Sequence, residues 1–225
     1  CAADAGRVEV RILGRVAAAN VKSDLLILGM GAAAQLCALY AHDADPHLNI
    51  LIATKALRGK GGCSRMVQGG FNAVLNPADS HEKHLMDTLQ GGQYINDQEL
   101  AKTLVEQATP TIKELETKFG CFFDRNPDGS IHQKAFAGQS FDRTVHKGDL
   151  TGIEIMGRLT EQVAKRRIPV LEECPAVELL LDETGQMVTG ALLFDMRRGE
   201  FIVVEAAAPM VATGGGPTQY RFPAP

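Results

Sequence analysis

The chain has 225 residues, with 23 Lys and Arg against 27 Asp and Glu, a formal net charge of −4, and 45% apolar and 22% charged residues. These values exclude a disordered or fibrous chain and argue against nucleic acid or an anionic membrane as the main partner. Glycine is abundant at 23 residues, aromatics make up only 5% and Trp is absent, so the core is expected from Leu, Val, Ile and Ala in an α/β nucleotide-binding fold.

Residues 1–22 show no apolar period and no signal-peptide centre, and read as an N-terminal arm before a domain over 23–225. Residues 24–28 are a short apolar run and predict a buried strand. An Ala/Leu-rich helix over 31–44 and a second buried strand over 49–53 complete a βαβ beginning. The apolar stretch 25–41 holds Gly29, Gly31 and Gln35 and is shorter than a membrane span, so strand, turn and helix describe it better.

Residues 56–73 contain Gly59, Gly61, Gly62, Gly69 and Gly70, and read as a functional loop. A helix is expected over 79–90, capped by Asp79 with Glu82. A longer helical stretch over 97–118 is expected to be divided at Pro110. Asn126-Pro-Asp-Gly129 is a turn, and 151–166 reads as an amphipathic helix. Strands over 177–181, 187–194 and 201–206, joined by turns at 182–185 and 197–199, form a β-meander. A separate strand over 210–213 runs into Gly214, Gly215 and Gly216.

Cys1, Cys37, Cys63, Cys121 and Cys174 are widely spaced, form no CxxC motif, and suggest reduced thiols in a cytosolic protein. His81 and His84 would share a helix face, but no third ligand supports a metal, and the Glu82 between them suggests a solvated surface. Asp142, Arg143, His146, Lys147 and Asp149 form a polar cluster with the composition of acid–base machinery. Arg197 and Arg198 sit in a predicted turn and are expected to face water.

Gly29-Met-Gly31-Ala-Ala-Ala34 follows a predicted strand and opens a predicted helix, the context a dinucleotide motif requires. Gly29 permits the tight turn. Gly31 lets backbone approach a pyrophosphate, which helix N-terminal amides then face, and Ala34 still allows close helix–strand packing. The carboxylate expected to hold ribose about twenty residues on is missing, and Thr54 with Lys55 stands at that strand end instead. This argues against a plain nicotinamide dehydrogenase. A second glycine-rich strand end, Thr213-Gly-Gly-Gly216, beyond the meander suggests a flavin enzyme.

The loop Gly59-Lys-Gly-Gly-Cys-Ser-Arg-Met-Val-Gln-Gly-Gly-Phe-Asn-Ala-Val74 resembles the flavin loop of the succinate dehydrogenase/fumarate reductase flavoprotein family, which includes L-aspartate oxidase. Phe136-Ala-Gly-Gln-Ser140, Gly148-Asp-Leu-Thr-Gly152 and Ala212-Thr-Gly-Gly215 resemble three further motifs of that family, in order. The resemblance runs from about Ser23 to Tyr220. It implies an α/β Rossmann-like FAD-binding domain with a β-meander insert, ending before the capping domain.

By that resemblance, Gly29, Gly31, Ala32, Ala33 and Ala34 would meet the pyrophosphate, and Thr54 and Lys55 the adenosine ribose. Cys63, Ser64, Gln68, Gly69 and Gly70 would run past the isoalloxazine. Backbone at Val177 would meet adenine, and Ala212, Thr213 and Gly214 form the second FAD motif. Gly69 and Phe136 match positions lining the dicarboxylate pocket. The polar cluster around Arg143 would support the active site rather than move protons.

Many relatives carry a covalently flavinylated histidine where aligning Gln68-Gly69-Gly70 puts Cys63. The resemblance therefore implies noncovalent FAD, closest to thiol-dependent fumarate reductases, with Cys63 as a small residue at the flavin edge. It implies hydride transfer between FAD and a C4-dicarboxylate, with electrons relayed to an iron–sulfur subunit. It also implies no direct membrane insertion, and a cytoplasmic location with membrane association only through partners. L-aspartate oxidase and a non-catalytic FAD-binding fragment are the alternatives. The family's proton donor and substrate histidines follow the last motif, so no catalytic residue is assigned.

Overall fold

The computed structural model describes residues 11–12, 15–16 and 19–216. The arm expected over 1–22 falls largely on positions outside the described residues, as does the stretch 217–220 that ends the resemblance. The chain forms two compact units: one from the residues up to Gly62 together with those from Thr160 on, and one from Cys63–Leu159.

The first unit opens with the two-residue strands β1 (Arg11–Ile12) and β2 (Arg15–Val16), paired antiparallel. Strand β3 (Ala19–Leu28) leads through Gly29 into helix α1 (Ala32–Ala44) and then strand β4 (Ile50–Ala53). Leu26, Ile27 and Leu28 and all of β4 are buried, which is why these strands read as unbroken apolar runs rather than alternating ones. On α1 the buried residues Ala34, Gln35, Ala38 and Leu39 make one stripe. Gln35 is satisfied inside, donating to the Met30 carbonyl at 3.3 Å and accepting from the Thr160 hydroxyl at 3.1 Å.

The second unit, Cys63–Leu159, begins with the short helix α2 (Cys63–Met66) and strand β5 (Phe71–Asn72). Helices α3 (His81–Gly91) and α4 (Gln98–Thr117) pack on each other. Strands β6 (Gln133–Lys134) and β7 (Thr144–Val145) complete a small antiparallel sheet in the order β5-β7-β6. The turn at Asn126 forms as expected, with Gly129 N donating to the Asn126 carbonyl at 2.9 Å. Val105, Ile112, Leu115, Phe119, Phe123 and Val145 supply buried apolar volume.

Helix α5 (Thr151–Lys165) follows, the first unit resuming within it at Thr160 and continuing with β8 (Val170–Leu171), β9 (Ala176–Leu181), β10 (Val188–Asp195) and β11 (Glu200–Val211). The large sheet has the order β8-β4-β3-β11-β10-β9. Its β8, β4, β3 and β11 are parallel, while β9, β10 and β11 form the expected antiparallel meander. One face of this sheet is cored by Leu26, Leu28, Leu51, Ala53, Ala191, Leu193 and Val204.

Four local expectations are corrected. The strand expected at 24 begins at Ala19, because β11 offers a parallel ladder from Ile202↔Ala19 to Val211↔Leu28. The strands expected over 201–206 and 210–213 are one, since β11 runs unbroken out of the meander along β3. Helix α4 is continuous through Pro110, which occupies an exposed position on it. The cap of α3 is Ser80, whose hydroxyl accepts from Lys83 N at 3.2 Å, while Asp79 is taken by Arg143.

Candidate functional site

In the first unit, the carboxyl ends of the parallel strands gather the glycine-rich turns. Gly29 has φ +116, which L side chains rarely adopt, and its N–H donates to the Ala53 carbonyl at 2.8 Å. Ala212 N donates in turn to the Leu28 carbonyl at 2.8 Å. A Cβ on Gly29 would lie 2.3 Å from the Ala212 carbonyl oxygen. The turn after β3 and the start of Ala212-Thr213-Gly214 are therefore in backbone contact.

Gly31 caps α1 in an extended conformation, with no side-chain cap and no acidic residue in the first turn. A helix cannot satisfy its own first-turn amides, so Ala32, Ala33 and Ala34 begin an N-terminus suited to an anion. Crevices at the carboxyl ends of parallel strands are where open α/β sheets bind ligands.

Thr54 follows β4 and is 7% exposed. Its N–H donates to the Leu171 carbonyl at 2.9 Å and its carbonyl accepts from Cys174 N at 2.8 Å. Its hydroxyl oxygen accepts from Ala56 N at 3.4 Å, which leaves the hydroxyl hydrogen as a donor. Lys55 is exposed beside it. The segment bonded to Thr54 through Cys174 leads directly to Val177, which is exposed on edge strand β9.

In the second unit the flavin-loop residues are held by the start of α5. Gly152 N donates to the Val67 carbonyl at 2.8 Å, and the Thr151 hydroxyl approaches the Gln68 carbonyl at 3.4 Å. A Cβ on Gly152 would meet the Ser64 carbonyl oxygen at 2.3 Å. Cys63 is exposed at the start of α2. Gly70 has φ +110, and a Cβ there would lie 2.0 Å from the Val145 carbonyl oxygen. Gly69 lies against Phe136, whose ring would be 3.3 Å from an added Cβ. Phe136 is itself 59% exposed.

The polar cluster separates into two networks. Arg143 is fully buried between Asp79 and Asp87. Burial alone would raise both carboxyls, but their hydrogen bonds to Arg143 hold them below the usual carboxylate range. His84 is buried rather than solvated as expected. Burial, and then the Arg143 charge, push it below its ordinary value. In the second network, His146 Nδ1 faces Asp124 at 3.3 Å and His146 Nε2 lies 2.7 Å from His132 Nδ1. Lys147 pairs with Asp124 at 3.1 Å. Asp149 is exposed, 3.9 Å from Lys134. Arg197 and Arg198 are both exposed, Arg197 pairing with Glu172 and Glu173.

Sequence reasoning missed Asp79, Asp87, Asp124 and His132 as partners. Asp79 just before α3 and Asp87 within it were the only available signal. Among the described residues, no group of three or more His, Cys, Asp or Glu side chains could hold a metal ion. No helix among them is long and apolar enough to cross a membrane.

A family model described as FAD binding domain matches residues 24–224. The chain belongs to the FAD binding domain family. Its cofactor is FAD, and the glycine approach at Gly29 and Ala212 fits such a group because only backbone can occupy that turn.

The family member is 43% identical over 201 residues to an uncharacterized FAD-dependent oxidoreductase of Methanocaldococcus jannaschii, covering 89% of this chain and 36% of the relative. It is 35% identical over 195 residues to a CoM/CoB fumarate reductase component of Methanothermobacter marburgensis, covering 85% of this chain and 35% of the relative. An E. coli quinol fumarate reductase structure superposes with a TM-score of 0.83 at 29% identity, covering 90% of this chain and 34% of that one. The chain thus spans about a third of the length of the curated relatives it matches.

Proposed function

We propose that this FAD-binding chain serves an oxidoreductase that interconverts fumarate and succinate, with noncovalent FAD and with electrons relayed to an iron–sulfur subunit. The observation that carries the reading is the contact of Gly69 with Phe136, which joins the flavin-loop motif to the residue matched to the dicarboxylate pocket. The relative from Methanothermobacter marburgensis and the E. coli structure are both named as fumarate reductases, which supports it.

Bound FAD would supply the hydride-transfer chemistry. Gly29 and Gly31 admit the pyrophosphate, and the α1 N-terminus stabilises its charge. The Thr54 hydroxyl hydrogen would be available to ribose, with Lys55 alongside. Backbone at Val177 would meet adenine, and Ala212, Thr213 and Gly214 would close the pyrophosphate turn. Main-chain groups of Cys63, Ser64, Gln68, Gly69 and Gly70 would line the flavin ring and could tune its electronics. Phe136 gives an apolar wall to a C4-dicarboxylate beside Gly69. Cys63 at the position of the linking histidine supports noncovalent attachment. The protein works in the cytoplasm and meets the membrane through its partner subunits.

L-aspartate oxidase of Streptomyces coelicolor, 33% identical over 199 residues, supports a second reading with aspartate as substrate. Flavin-loaded protein with a reduced viologen dye separates the two. Fumarate-dependent dye oxidation is expected. Aspartate-dependent flavin reduction without fumarate turnover would overturn the first reading in favour of the second.

A further inference from the structure

Arg143 is wholly buried yet charged. Its Nε donates to Asp79 Oδ2 at 2.5 Å, its Nη2 to Asp79 Oδ1 at 2.7 Å and to the Ser140 hydroxyl at 3.3 Å, and its Nη1 to Asp87. Asp87 accepts twice more from Ser140, from the backbone N–H at 2.8 Å and from the hydroxyl at 2.7 Å. The Arg143 N–H donates to the Gln139 side chain at 3.3 Å. The Arg143 carbonyl accepts from Gln133 Nε2 at 2.9 Å and from Ala73 N at 3.1 Å. The Phe141 ring lies 5.6 Å from the guanidinium.

These contacts all bear on one segment. Residues 135–143 join β6 to β7, with Phe136 on the limb that meets Gly69 and Ser140 on the opposite limb. Ser140 is fastened to α3 through Asp87, and Gln139 closes the segment onto Arg143 and Thr144. A buried ion pair is poor evidence for stability, because apolar residues of similar volume often do as well. What a planar guanidinium adds is a fixed geometry, with donors aimed at three partners at once.

We propose that Arg143 is a positioning residue which, through Asp87 and Ser140, fixes loop 135–143 so that Phe136 stands against Gly69 and shapes the dicarboxylate wall. The substrate side of this inference rests on the proposed function. The loop side does not. Arg143 touches neither Gly69 nor the Phe136 ring in this arrangement and acts only through the loop it anchors.

The test uses Phe136→Trp in a chain that contains no Trp. The difference in emission between F136W and its Phe136 parent reports the loop alone. It is measured in the wild-type, Ser140→Ala and Asp87→Asn backgrounds. Acrylamide quenching of the difference signal is expected to rise at least about twofold in both backgrounds, as the loop opens locally. With Phe136 in place, Ser140→Ala is expected to raise KM for fumarate about fivefold while kcat and flavin content stay near the parent's. Unchanged quenching in both backgrounds, with only a lower Tm for Asp87→Asn, would overturn the inference and leave the cluster a purely structural role. A parent that turns over no fumarate would defeat the proposed function instead, and the quenching result would still decide whether Arg143 fixes the loop.

Discussion

Gly29 and Ala212 approach so closely that a Cβ on Gly29 would lie 2.3 Å from the Ala212 carbonyl oxygen. They are 183 positions apart in the sequence, and the ladder between β3 and β11 brings them together. The contact binds the first glycine motif to the second. Gly29→Ala therefore adds a clash to an unfavourable φ of +116, and the conformational part alone costs roughly 1–2 kcal/mol. Fluorescence titration is expected to show FAD affinity about tenfold weaker, with a lowered Tm. Undiminished affinity would mean that this turn does not receive the cofactor.

Acid is expected to destabilise the fold in two stages. Burial, with Lys134 next, holds His146 below its ordinary pKa against the opposing pull of Asp124 and with a further lowering from His132. Burial and Arg143 do the same for His84. Both rings bind a proton less readily folded than unfolded. Their contribution is complete above the unfolded value of about 6.5 and is lost as pH falls below it toward the lowered folded values. Asp79, Asp87 and Asp124 are held low by hydrogen bonds, so their contribution is lost later, below the ordinary carboxylate range. Urea midpoints measured from pH 7 to pH 5 should fall, and His146→Gln should flatten that slope. An unaltered slope in the variant would remove His146 from the first stage.

The thiols should separate by position. Cys63 is exposed, while Cys121 and Cys174 are buried, and burial pushes the Cys121 thiol up to about 12. Maleimide labelling read by peptide mapping is expected at Cys63 first and at Cys121 only on unfolding. Bound FAD should slow labelling of Cys63 by about tenfold if the loop lies along the flavin. Equal rates with and without FAD would move Cys63 away from the cofactor.

Helix α4 offers a stabilising change. Pro110 lies inside the helix at an exposed position and cannot donate to the carbonyl four residues back. Pro110→Ala is expected to raise stability by about 1–2 kcal/mol, the helix gain exceeding the added freedom of the unfolded chain. A lowered urea midpoint would show that the proline is compatible with its surroundings and that its unfolded-state effect dominates.

Pro110 also marks what could and could not be read from the residues alone. A proline predicts a break, but Val105, Ile112 and Leu115 keep one buried stripe on both sides of it, and packing carries the helix through. Buried runs such as Leu26–Leu28 and Ile50–Ala53 were legible because parallel strands need no alternation. The first half of β3 was not, since Ala19, Asn20 and Lys22 are exposed and owe their strand to β11. Asp79 looked like a cap by spacing and is instead claimed by Arg143, 64 positions away, a pairing that local pattern cannot show. The glycine motifs were legible as turns. That Gly29 meets Ala212 and Gly69 meets Phe136 required the fold.

The central proposal is that FAD, the cofactor of this chain, is held without a covalent bond and is received at the turn of Gly29 and Ala212. The visible spectrum of the purified protein, before and after acid precipitation, tests it most directly. The flavin bands should be present or restored by added FAD, and all the flavin should pass to the supernatant on precipitation. Flavin retained in the pellet would contradict noncovalent attachment, and a protein that neither carries nor takes up FAD would contradict the site itself.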